Sequence, residues 1–228
     1  MPEYVTQRLP RQWPVVALAV GLVLLMAGAE MLSDRYGGWV FSRTDFFSGA
    51  WWQLGSAQWV HFGGLHAAPN AASLVLMLWA MQGVVAGALQ GAALAGGYIG
   101  VAVVLVLDPA CSYYAGASGA LHGLWAGNAV ALLWGLGAPL PRSHGLRWLG
   151  GAMLLALLVK FGWQTHDAGA LHTWQALVPL PLDLADFPVY TPSHTGGAAG
   201  GVVAVLLYAL WFRLAARTPA CCPAGRYQ

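Results

Sequence analysis

Three short segments of this chain carry the residue types from which an acyl-transfer site is built. Gly116-Ala117-Ser118-Gly119 sets a hydroxyl among small residues. Ser193-His194-Thr195-Gly196-Gly197 sets an imidazole beside another run of small residues. A serine hydroxyl within about 2.6–3.2 Å of an imidazole becomes a nucleophile, because the ring takes its proton as it attacks. The attack builds an oxyanion, which needs fixed hydrogen-bond donors. The third segment, His61-Phe62-Gly63-Gly64-Leu65-His66-Ala67-Ala68-Pro69-Asn70, offers two of them. His66 and Asn70 are one helical turn apart and share a face. The Ser118 backbone N–H is a third donor. Taken singly, each has a plain alternative: Ser118 as a helix cap, His194 as a packed polar residue, Gly119 and Gly197 as helix-packing residues.

The elements that must position these groups follow from hydropathy. Of 228 residues, 58% are hydrophobic and 8% charged, against about a quarter charged in soluble domains. Mean hydropathy is +0.61. So few charges cannot cover a water-facing surface, and a lipid bilayer is the expected solvent. Apolar stretches near 13–30, 66–87, 89–107, 117–138, 147–163 and 194–213 are long enough to span it. The expected fold is therefore all-α: a single polytopic membrane domain of six helices over 1–228, with 214–228 as a cytoplasmic tail. Arg8, Arg11, Arg142, Arg147, Arg213, Arg217 and Arg226 fall on one side, and Arg35, Arg43 and Lys160 on or near the other. By the positive-inside rule both termini are cytoplasmic. Arg8 and Arg11, the first apolar run and Ala27-Gly28-Ala29 also have the layout of a cleavable leader. A chain this apolar more often keeps such a segment as an anchor.

On this topology Ser118 and His194 open parallel helices at similar depth near the outer face. Gly119, Gly123 and Gly127 repeat every fourth residue, as do Gly197 and Gly201. Such faces let helix backbones approach closely. No acid falls in the interior of the apolar stretches, so a Ser-His dyad is expected. A triad would need a loop carboxylate, with Asp183 or Asp186 nearest in sequence to His194. His122, one turn after Ser118, lies on the face that could bring it beside the His194 ring. Two long outer loops are expected. That near 31–65 holds Trp39, Trp51, Trp52 and Trp59 and reads as a headgroup-layer segment. That near 164–193 is irregular because of Pro179, Pro181, Pro188 and Pro192.

His61-x4-His66-x3-Asn70, then Gly116-x-Ser118-Gly119, then His194-x2-Gly197-x3-Gly201 together resemble the rhomboid intramembrane proteases over roughly 50–213. The resemblance implies Ser118 as nucleophile, His194 as general base, and His66 and Asn70 as oxyanion donors. It also makes the tryptophan loop the family's membrane-embedded first loop. Two positions depart from the family pattern. Trp52-Gln53 stands where Trp-Arg is usual, which leaves the anchoring of that loop in question, and His122 stands where tyrosine usually stacks on the catalytic histidine. The string from Tyr114 to Leu124 resembles the rhombosortase branch. That likeness implies exported protein substrates with a Gly-Gly-containing C-terminal anchor helix, in a bacterial inner membrane.

The alternatives are of other classes. One is a metal or haem protein using His61, His66, His122 and His194, but neither an HExxH motif nor a neutralising acid accompanies them. Another is a non-proteolytic polytopic binding or transport protein, although no paired broken helices repeat along the chain. No cofactor is expected. The dispersed basic residues offer no nucleic-acid footprint. Cys111, Cys221 and Cys222 form no CxxC motif.

Overall fold

Long apolar, small-residue segments punctuated by glycine give a mostly helical chain. The computed structural model describes residues 13–32, 38–62, 64–136, 143–166 and 189–215. In chain order the elements are α1 (Trp13–Leu32), β1 (Phe41–Ser42), α2 (Arg43–Phe47), α3 (Gln53–Ser56), α4 (Gly64–Ala80), α5 (Gly87–Leu107), β2 (Tyr113–Tyr114), α6 (Ser118–Trp134), α7 (His144–His166) and α8 (Thr191–Ala215). Among the described residues three helices are long and apolar enough to cross a membrane: Gly87–Leu107, His144–Gln164 within α7, and Thr191–Ala215.

Helix ends differ from the sequence reading for local reasons. The 66–87 stretch stops at Ala80, followed by a turn in which Gly83 has φ +74°. The 117–138 stretch stops at Trp134, because Gly135 adopts the left-handed conformation and its N–H bonds the Ala131 and Leu132 carbonyls. α4 and α6 are therefore 17 residues each. α7 starts earlier than expected, helped by Ser143, whose Oγ accepts from the Leu146 N–H at 3.2 Å. α8 also starts earlier, with Pro192 in its first turn where no N–H donor is needed. Pro69 is the sixth residue of α4, past the first turn where proline is tolerated, so the helix forgoes its bond to the Leu65 carbonyl. α1 runs unbroken through Ala27-Gly28-Ala29 and Glu30, so the leader-like cleavage site lies inside a helix. Arg8, Arg11, Arg35, Arg142, Arg217, Arg226, Asp183, Asp186, Pro179, Pro181, Pro188, Cys221 and Cys222 lie outside the described residues.

The core is α6, wrapped by α5, α7 and α8. Its Ala120, Leu124 and Ala129 are fully buried. Glycine allows the approach. A Cβ at Gly197 would overlap the Gly119 carbonyl oxygen, and one at Gly201 the Gly123 oxygen, so α6 and α8 touch backbone to backbone. α5 joins in the same way: a Cβ at Gly97 would lie 2.5 Å from Ala120 O, and one at Gly100 would overlap Gly196 O. Packing of this kind needs small residues on every partner.

The segment before α4 is more ordered than a loop. β1 pairs antiparallel with β2, with Phe41 opposite Tyr114 and Ser42 opposite Tyr113. Anchoring, left in question by Gln53, is made by other means. The Arg43 guanidinium donates to three carbonyls at the end of α5: Asp108 O at 2.8 Å, Leu105 O at 3.0 Å and Val106 O at 3.2 Å. These are the acceptors that a helix C-terminus leaves unsatisfied. Gln53 is buried; its Oε1 accepts from the Ser42 N–H at 3.0 Å and its Nε2 donates to Gly38 O at 3.4 Å. Trp51 and Trp52 remain exposed on this segment.

Candidate active site

Ser118 is the first residue of α6, and the turn that delivers it is held from three sides. Gly116 has φ +123°, a conformation side chains rarely adopt. A Cβ there would also lie 2.9 Å from His66 Cε1. The Gly116 N–H donates to Ala57 O at 2.8 Å, the Tyr114 hydroxyl donates to Gly116 O at 2.8 Å, and the Ala117 N–H donates to His61 Nε2 at 3.4 Å. Burial, and secondarily the charge of His66, pushes the His61 pKa down to about 4. A neutral His61 keeps the lone pair that the Ala117 N–H requires. His61 is thus part of the scaffold beneath the Gly-x-Ser turn.

His194 arrives on the first turn of α8 and is buried. Ser118 Oγ lies 3.0 Å from His194 Nε2, within the range for proton transfer. Two ties fix the end of α8. Ser193 Oγ donates to Tyr190 O at 2.7 Å, and the Tyr190 hydroxyl donates to Asp108 Oδ2 at the end of α5. The Tyr190 bond, then the Ala110 N–H and the Arg43 charge, hold the Asp108 carboxyl below its ordinary pKa despite some desolvation.

His122 stacks on His194, with ring centroids 4.1 Å apart and planes 18° apart. His122 Nδ1 is 2.6 Å from Ser118 O, and Lys160 Nζ is 2.6 Å from His122 Nε2. His194 Nδ1 is 3.3 Å from Gln164 Oε1. A side chain on α7, not a loop carboxylate, thus takes the place where a triad would put its acid. Sequence reasoning missed Gln164 and used Lys160 only as a topological charge. The signal was present for Lys160, since an ionisable residue within an apolar helix is a functional candidate by default.

His66 and Asn70 lie on α4 across from Ser118. The three line one cavity of about 870 Å³ together with His122, Lys160 and His194. Asn70 is buried and its Nδ2 donates to His66 O at 3.0 Å. That amide has two hydrogens, so one remains for another acceptor. The His66 ring stacks on Phe62 at 6.3 Å and meets His61 edge-on at 5.1 Å. From His66 the cavity extends along α4 to Ala80, about 21 Å at the rise of a helix. Its walls there are apolar, including Leu76, Met77, Leu149 and Met153. Among the described residues no three or more His, Cys, Asp or Glu side chains gather as a metal site would require; the histidines meet as two pairs instead.

Gly119, Gly197 and Gly201 serve the close approach of α6 and α8 and do not line the cavity. No family model, curated protein or solved structure matches this chain.

Proposed function

We propose that this protein is an intramembrane serine protease of the rhomboid type. The observation that carries the reading is the 3.0 Å approach of Ser118 Oγ to His194 Nε2 beside an apolar cavity. In the proposed reaction Ser118 attacks a scissile carbonyl while His194 Nε2 takes the hydroxyl proton. The oxyanion is held by the Ser118 N–H, His66 and the second Asn70 N–H. Collapse of the tetrahedral species passes the proton from His194 to the leaving amine. Water, or an acceptor amine, then releases the acyl group from Ser118 by the same proton path.

The topology proposed with it has six spans, α1, α4, α5, α6, α7 and α8. Both termini are cytoplasmic and the dyad lies toward the outer face of a bacterial inner membrane. The distribution of arginines supports this orientation. The cavity suits an apolar helix laid along α4 whose end unwinds at Ser118. An exported protein with a C-terminal membrane anchor meets that description. A Gly-Gly sequence at the unwinding point, as the rhombosortase likeness implies, lowers the cost of leaving the helical conformation.

The test is labelling by a serine-directed fluorophosphonate in membranes, with cleavage of an anchored reporter in parallel. Wild type should label and cleave, whereas Ser118→Ala and His194→Ala should do neither. Equal labelling of all three proteins would reject the assignment.

A further inference from the structure

α7 contributes two polar side chains to the site, and they are one turn apart. Lys160 and Gln164 stand four residues apart and so share a face. Each reaches a different histidine of the stacked pair. Bond by bond, the partners dictate which ring nitrogen carries hydrogen. Ser118 O is a carbonyl and can only accept, so His122 Nδ1 must donate to it. His122 Nε2 then has the lone pair and accepts from the Lys160 ammonium. Gln164 Oε1 likewise can only accept, so His194 Nδ1 carries hydrogen. His194 Nε2 is left with its lone pair facing the Ser118 hydroxyl.

We infer that Lys160 and Gln164 are positioning residues that hold His122 and His194 as Nδ1–H tautomers, so that His194 presents a basic Nε2 to Ser118. The inference deepens the protease reading and rests on it. Neither side chain touches the reacting atoms. Gln164 acts through His194. Lys160 acts through His122, which is stacked on the His194 ring and bonded to the Ser118 carbonyl, so it restrains the base and the nucleophile together. Phe161, between the two on α7, packs on His122 with centroids 5.8 Å apart. One short stretch of α7 therefore supports the site from a single side. An amide turned the other way at Gln164 would offer hydrogens to Nδ1. It would then force the His194 proton onto Nε2, where the ring cannot accept from serine.

Two readouts test the inference on full-length protein in detergent. The first is the 15N spectrum of histidine-labelled protein. Wild type should show His122 and His194 as Nδ1–H tautomers, assigned with His122→Phe and His194→Ala. Gln164→Leu should shift His194 toward the other tautomer, and Lys160→Met should do so for His122. The second is turnover of an anchored reporter, scaled to the fraction of protein that fluorophosphonate labels. Loss of one such hydrogen bond should lower kcat about tenfold with KM unchanged. Lys160→Arg and Gln164→Glu, which keep a donor and an acceptor, should restore most of it. A merely structural role would lower the amount of folded protein without moving kcat per labelled site or the tautomers. Wild-type tautomers and kcat in both Lys160→Met and Gln164→Leu would overturn the inference and leave the protease reading standing. Failure of the wild type to label would instead remove the protease reading.

Discussion

Replacing Gly116 with alanine separates two demands that the Gly-x-Ser turn makes on one residue. The first is conformational: φ is +123°, where a side chain costs about 1–3 kcal/mol of strain. The second is steric. The new Cβ would lie 2.9 Å from His66 Cε1 and 3.2 Å from its Nε2. Carbon atoms prefer about 3.5–4.0 Å, so the gap must open by about 0.6 Å or more. The turn cannot easily supply this movement, because Gly116 is bonded on its N–H by Ala57 O and on its carbonyl by the Tyr114 hydroxyl. The His66 ring must retreat, and the proposed oxyanion donor moves with it. A displacement near 1 Å at a reacting centre can cost about 10²-fold in rate. Gly49→Ala is the matched control, since Gly49 has φ +117° but nothing within 4 Å of its would-be Cβ. Thermal unfolding in detergent and the rate of fluorophosphonate labelling are the measurements. Both variants should unfold earlier by the strain alone, whereas only Gly116→Ala should label more slowly, by about ten- to a hundredfold. Wild-type labelling by Gly116→Ala, with no more loss of stability than Gly49→Ala, would show that the packing of His66 on this turn is not what the site depends on.

Two further outcomes follow from groups outside the dyad. Arg43→Ala removes the guanidinium from the Leu105, Val106 and Asp108 carbonyls and should destabilise the protein by about 2 kcal/mol. Hydrogen exchange should rise in residues 38–56 and at the end of α5; an unchanged exchange pattern would mean Arg43 does not clamp that segment. Asn128 is fully buried in α6, and among the described residues neither of its amide atoms has a hydrogen-bond partner. An apolar residue of similar volume removes that penalty, so Asn128→Leu should raise the unfolding temperature, with about 1–3 kcal/mol at stake. A lower unfolding temperature would show that the amide contributes a stabilising interaction.

How much of this was legible in the sequence depended on the range of the interaction. Helical periodicity and apolar length are local, and helices lie near all six apolar stretches. The approach of α6 to α8 was legible as well, because glycines at 119, 123, 197 and 201 write it as a repeat. The part played by α5 was less so. Gly96 and Gly100 keep the fourfold spacing toward α8, but Gly97, through which α5 meets α6, stands alone outside it. The β1–β2 pairing was invisible, being two residues on each strand. So was the Arg43 clamp, whose partners are 62 to 65 residues away. Gln164 fell just past the end of the 147–163 stretch, and only the longer α7 brings it to His194.

The way the site is divided among helices also bears on how it moves. Ser118 and His194 ride on α6 and α8, which are locked by backbone contacts too close for any side chain. Their separation is accordingly a property of the core and should change little when a substrate enters. The proposed oxyanion donors His66 and Asn70 ride on α4, and Lys160 and Gln164 on α7, with the cavity between these two helices. Most of the residues that face the cavity from α4 and α7 are apolar, so a helix docked there exchanges lipid contacts for protein contacts without disturbing the α5–α6–α8 trio. On the proposed protease reading, binding energy from such a helix would go into setting α4 and α7 against Ser118 and His194, which are already in contact. On this division, and on the proposed protease reading, substitutions that loosen α7 should act on turnover through the tautomers of two rings, while substitutions that loosen the glycine contacts should act on whether Ser118 and His194 meet at all.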